Sequence, residues 1–190
     1  PDVLGRAKNI IGHQQQLFGS IIKELIPLLK ENDIEFVYGM RLPKEIMPEV
    51  SHNFFTQVLA FLKPVFLSDK EACFFPENNQ LYLAISGKAN DGAERNVVVN
   101  IPTEHLPRLF RVKFNQKQYI VFLDDIIRAH LHVIPGIDVA GCFSFKVTRD
   151  AEIDLDDHYE EDMAAMIERQ LAKRDQALAT RFLYEPGLSD

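Results

Sequence analysis

Apolar residues recur at helical spacing between Gln14 and Lys30, at Leu17, Ile21, Leu25, Leu28 and Leu29. They gather on one face of an amphipathic helix, kinked or trimmed near Pro27, and that face needs a packing partner. Asn32-Asp33 then supplies a turn, and Ile34, Phe36 and Tyr38 mark a short strand. A second helix is predicted from Ser51 to Lys63, with Phe54, Phe55, Val58, Leu59 and Leu62 on one side, Ser51 as N-cap and Pro64 as the stop. From Ala72 to Ser86 the period changes to two, with Leu81, Leu83 and Ile85 on one face. Pro76 to Gln80 offers the reversal of a hairpin within that stretch.

The polar turn from Gly87 to Gly92 leads into Val97-Val98-Val99-Asn100-Ile101, a β-branched run typical of a strand covered on both faces. Tyr119 to Phe122 forms another strand. It feeds a helix that begins at Asp124 or Asp125, buries Ile126, Ile127 and Leu131, and ends at Pro135-Gly136. In the strand from Cys142 to Thr148, Phe143, Phe145 and Val147 alternate with Ser144, Lys146 and Thr148. A helix over about 157–174 turns Met163, Met166, Ile167 and Leu171 inward, and Arg181 to Tyr184 makes a last strand. Helices interleaved with strands, some joined by hairpins, imply an α+β fold: a mixed β-sheet with helices packed on its faces. The hairpin argues against a doubly wound parallel sheet. We divide the chain into an N-terminal helical segment over 1–33, the end of a preceding domain or a linker helix, and one domain over 34–190.

Composition and the first residues of the chain change this picture in four ways. No apolar run approaches the roughly 20 residues of a membrane helix, so no membrane span is expected. The Pro-Asp-Val-Leu-Gly-Arg start reads as an internal cut. Cys73 and Cys142 sit in apolar surroundings without ligand-spaced neighbours, as reduced thiols of a cytoplasmic protein do. With 21 basic and 28 acidic residues the formal net charge is −7, the wrong sign for a domain that holds a long polyanion, and nucleic acid is not an expected partner.

Against that background one basic segment stands out: Arg108, Arg111, Lys113 and Lys117, with no acid among them. It reads either as a solvated loop and strand edge or as a phosphate contact. Strand alternation sends Arg149 the same way as Phe143, Phe145 and Val147, which sets a cation at the end of an apolar face. Such a cation needs a carboxylate or phosphate partner. Asp150 and Glu152 are at hand, and the alternative is an arginine offered to phosphate or to a partner domain. The acids Asp154, Asp156, Asp157, Glu160, Glu161 and Asp162 lack the central Gly and terminal Glu of a calcium loop and suit a helix N-terminus. His130 and His132 are too close in sequence to share a helix face. No Walker-type loop, hydrolase elbow or kinase catalytic loop is present. The residues by themselves describe a structural or interaction domain, with free-standing regulation and no phosphate chemistry as one reading.

Several segments in order resemble the middle, or head, domain of bacterial polyphosphate kinases of the histidine-autophosphorylating family. They are Phe122-Leu123-Asp124-Asp125-Ile126-Ile127-Arg128-Ala129-His130-Leu131, Pro135-Gly136, and Phe143 to Glu152 with Val-Thr-Arg-Asp-Ala-Glu. Leu106-Pro107-Arg108-Leu109 and Arg181-Phe182-Leu183-Tyr184-Glu185 add to the likeness, which is strongest from Val97 to Glu185. The resemblance implies a parent enzyme that transfers the terminal phosphate of ATP to polyphosphate with Mg²⁺ through a phosphohistidine. In that family the histidine lies in a Lys-Ile-His-Ala-Lys motif, which this sequence lacks. No catalytic, ATP or metal residue therefore carries over to any position here, and no cofactor is expected in this chain itself. The implied role is a non-catalytic scaffold that shapes a polyphosphate tunnel and builds a homo-oligomer interface. Its implied partners are the remaining domains of the parent chain, in a cytoplasmic enzyme that is membrane-peripheral at most.

Overall fold

The computed structural model describes residues 2–38, 41–67, 74–149 and 179–187. Helix α1 (Val3–Glu31) is longer than its apolar period suggests. Asp2 opens it, accepting from the Gly5 amide at 2.7 Å, and the helix runs through Pro27 to Asn32 without being trimmed there. None of its residues is buried, and Leu17, Phe18, Ile21 and Leu28 are all more than half exposed. The partner its apolar face calls for is not supplied by the described residues.

Strand β1 (Ile34–Val37) follows a turn in which Asp33 takes a φ of 57°. The second helical region differs from the expected Ser51–Lys63 helix. It starts earlier, as a 3₁₀ turn over Lys44–Ile46 that continues into α2 (Met47–Asn53), with Pro48 in the first turn. It then widens to a π turn over Phe54–Val58 and tightens to 3₁₀ over Leu59–Phe61. Ser51 is thus inside the helix and caps nothing; proline, which needs no amide partner in a first turn, marks the true start. The π turn lets Phe54 and Val58 both be fully buried.

Two sheets carry the remaining strands. One has the order β1-β6-β5, with β1 parallel to β6 (Lys117–Phe122) and β6 antiparallel to β5 (Leu109–Phe114). The other is antiparallel, in the order β2-β4-β3-β7-β8. Its strands are β2 (Val65–Phe66), β3 (Leu81–Lys88), β4 (Glu94–Ile101), β7 (Asp138–Arg149) and β8 (Ala179–Tyr184). The hairpin expected within 72–86 is displaced. Among described residues 74–80 form a non-strand lead-in, and β3 instead pairs with β4 across a turn closed by the Ala89 amide on the Ala93 carbonyl at 2.8 Å. Where β3 meets β7 the register slips between Ser86 and Gly87. A Cβ on Gly87 would stand 2.1 Å from the Asp138 carbonyl oxygen, so the bulge needs glycine.

The principal core lies between the two sheets and the helical region. It joins Val37, Val50 and Phe54 to Leu83, Ile85, Val97, Val99 and Ile101 of one sheet and Val112, Tyr119 and Val121 of the other. Val98 faces the opposite way, into a smaller cluster with Tyr82, Phe145 and Val147. β4 is therefore covered on both faces, as its β-branched run predicts. The expected α+β class holds, with the strands divided between a mixed sheet and an antiparallel one. Helix α3 (Leu123–Arg128) leaves β6 directly and buries Leu123, Ile126 and Ile127 in the core. The expected helix over 157–174, together with Cys73, Asp150, Glu152 and the acidic run, lies outside the described residues.

Candidate functional site

Helix α3 is held at each end by an arginine. Before it, Arg108 donates through Nη2 to Asp124 Oδ2 at 2.9 Å, while its guanidinium lies 5.5 Å from the centre of the Phe122 ring. At its last residue, Arg128 donates to the Cys142 carbonyl at 2.9 Å, to Ser144 Oγ at 2.7 Å and to Glu185 Oε2. The same Glu185 oxygen accepts from the Ser144 amide at 2.8 Å, and the Glu185 amide donates to the Ser144 carbonyl at 3.0 Å. One guanidinium thus joins α3, β7 and the segment after β8, with planar multidentate geometry that lysine cannot copy.

Beside these clamps is a cavity of about 690 Å³ whose lining includes Tyr38, Arg41, Lys44, Phe122, Asp124 and Asp125. Burial pushes the Asp125 carboxyl up to about 6; Arg128 opposes this and the charges of Asp124 and Glu185 add to it. Asp124 is only 9% exposed, and its Oδ1 has no hydrogen-bond partner among the described residues. Burial also raises the Cys142 thiol to about 11, far from a reactive thiolate. Among the described residues no cluster of His, Cys, Asp and Glu could hold a metal ion.

The residues singled out in the sequence fall in three places. Arg108 is committed to Asp124. Arg111 and Lys113 stand exposed on edge strand β5 and Lys117 opens β6, so these three share one hairpin, turned at Asn115 with a φ of 54°. Arg149 is 7% exposed and shares the face of Phe145 and Val147, as alternation predicts. Its guanidinium carbon lies 3.7 Å from the Phe75 ring centre, and Nε and Nη2 donate to the Pro76 carbonyl at 3.3 and 3.1 Å. Its amide donates to Asn78 Oδ1 at 2.9 Å. A ring and a carbonyl are thus among the groups that hold Arg149, whose expected carboxylate neighbours Asp150 and Glu152 lie outside the described residues. His130 is a core residue: its ring stacks on Phe54 at 4.3 Å, Nδ1 lies 2.8 Å from the Ile126 carbonyl, and Nε2 lies 2.9 Å from Ser51 Oγ.

Sequence reasoning did not single out Arg41, Lys44 or the roles of Asp125, Arg128 and Glu185. The one available signal was the Leu-Asp-Asp-Ile-Ile-Arg segment itself, two adjacent acids and an arginine on a strongly apolar helix.

The fold and these clamps define an α+β domain organised around a short central helix. The family of the polyphosphate kinase middle domain matches residues 47–190, and the chain belongs to that family. It is 31% identical over 181 residues to a polyphosphate kinase of Vibrio vulnificus strain YJ016, covering 91% of this chain and 26% of that one. It is 29% identical over 160 residues to one from Staphylococcus saprophyticus, covering 83% and 22%. The crystal structure of polyphosphate kinase from Porphyromonas gingivalis superposes with a TM-score of 0.63 at 27% identity, over 74% of this chain and 24% of that chain. The chain spans about a quarter of the length of the curated relatives it matches. No helix among the described residues is long and apolar enough to cross a membrane.

Proposed function

We propose that this chain is a non-catalytic, load-distributing part of a polyphosphate kinase. The parent enzyme adds the terminal phosphate of ATP to polyphosphate with Mg²⁺, and this domain fixes the geometry in which the other domains and a second subunit meet. The observation that carries this reading is the double clamp on α3. Arg108 and Arg128, the cations nearest the cavity's acids, are directed at Asp124 and Glu185 of their own domain. Charged groups used in this way order a scaffold; they do not follow a phosphoryl group through its transfer. We place the parent in the cytoplasm as a homo-oligomer. The test is ATP-dependent polyphosphate synthesis by this chain beside a longer polyphosphate kinase that contains it: the scaffold reading requires activity in the longer chain alone.

A second reading has its own observation. Arg111, Lys113 and Lys117 are exposed on one hairpin and form no ion pair among the described residues. They supply a direct, salt-sensitive contact to polyphosphate. Membership of the family weighs against a free-standing regulatory domain without phosphate chemistry.

A further inference from the structure

We propose that the open edge of β5 docks an extended acidic peptide segment, taken up as a further strand of the mixed sheet with its acids over Arg111 and Lys113. The backbone supplies one part of this site. A two-residue turn, Asn115-Gln116, joins β5 to β6, and the Leu123 amide donates to the Arg108 carbonyl at 2.8 Å. With the register Phe110↔Val121, Val112↔Tyr119 and Phe114↔Lys117, the bonds to β6 come from the even-numbered residues of β5. Leu109, Arg111 and Lys113 therefore turn their amides and carbonyls outward. Among the described residues no strand lies beyond β5, and no hydrogen bond reaches these outward groups.

Side chains supply the other part. Leu109, Arg111 and Lys113 are exposed on the face away from the core, and neither cation is in an ion pair among the described residues. Phe110 and Val112 are buried on the opposite face, and Phe114, 41% exposed, ends their row. A strand laid along this edge meets cations on one face and an apolar row on the other, so acids alternating with apolar residues fit it. A second β5 is a poor occupant, because antiparallel self-pairing sets cation against cation. A polyphosphate chain suits the cations, but it brings acceptors only and leaves the outward carbonyls without donors. A peptide backbone offers both donors and acceptors. The inference is independent of the scaffold reading, and it gives Arg111 and Lys113 a different occupant from the polyphosphate of the second reading.

Fluorescence anisotropy tests it, with this 190-residue chain titrated into short, labelled, capped peptides that alternate Glu, Gln or Lys with Val. The Glu peptide is expected to bind at least about tenfold more tightly than the Gln peptide, and the Lys peptide more weakly than either. Arg111→Glu combined with Lys113→Glu should reverse this order. Lys113→Ala and Lys113→Pro lose the same cation, but only proline also removes an outward amide, and an edge strand tolerates it there. The Pro variant should bind the Glu peptide at least about fivefold more weakly than the Ala variant. Unaltered thermal melting would show that the variants fold. No binding of the Glu peptide, an order that charge reversal leaves unchanged, or equal affinity in the folded Ala and Pro variants overturns the proposal. The last of these is the behaviour of a charge contact alone, as polyphosphate would make.

Discussion

Arg108 Nη2 lies 2.9 Å from Asp124 Oδ2, so a cation that the sequence leaves as either a solvated surface group or a phosphate contact instead pairs with a buried carboxylate at the head of α3. Arg108→Ala removes the only donor to the Asp124 side chain among the described residues. It should lower stability to urea by about 1–3 kcal/mol, and adding Asp124→Asn should recover part of the loss. A loss within about 0.5 kcal/mol, typical of an exposed side chain, would show that the pair is incidental.

Arg128 makes three different contacts through one planar group, so the conservative replacement should not be conservative. Arg128→Lys is expected to cost about 2 kcal/mol in urea unfolding, nearly as much as Arg128→Ala, because an ammonium cannot span Cys142, Ser144 and Glu185 together. Full rescue by lysine would reduce the clamp to a simple charge pair.

Asp125 titrates near 6 in the folded chain, above the usual carboxyl range, so the native state holds this proton more tightly than the unfolded state. Its contribution to stability is complete below about pH 4 and is lost as pH rises through about 6. Asp125→Asn mimics the neutral acid. It should match the parent chain at pH 4 and exceed it by about 1 kcal/mol at pH 7.5, allowing for screening of a half-exposed carboxyl. Urea midpoints at the two pH values decide this; an Asn variant less stable at pH 7.5 would contradict it.

The hairpin cations offer a contrast. Arg111→Ala, Lys113→Ala and Lys117→Ala together should leave stability within about 1 kcal/mol, since all three are exposed. If they contact polyphosphate, they should account for most of the salt dependence of its binding in fluorescence titration. An unchanged salt slope in the triple variant would remove the second reading.

Strands were legible where burial is repetitive. The alternation in Leu83 and Ile85, the two-faced run from Val97 to Ile101, and the row of Phe145, Val147 and Arg149 all follow from period two. Helix boundaries were less legible, because Ser51 imitates a cap while Pro48 sets the start, and a π turn shifts the periodicity within Phe54–Val58. β5 was obscured because Arg111 and Lys113 alternate with Val112 on an edge strand whose outer face is charged. The clamps could not be read at all: Arg108 and Asp124 are 16 positions apart, and Arg128 and Glu185 are 57 apart. Only the fold brings such partners together.

The central claim is that this chain supports phosphoryl transfer without performing it. The most direct test incubates it with Mg²⁺ and ATP labelled in the γ-phosphate, then measures acid-labile label on its six histidines, beside a longer polyphosphate kinase that contains the same domain. The account predicts label in the longer enzyme and none in this chain. Stoichiometric acid-labile label in this chain would contradict it and give one of these histidines the nucleophile's role.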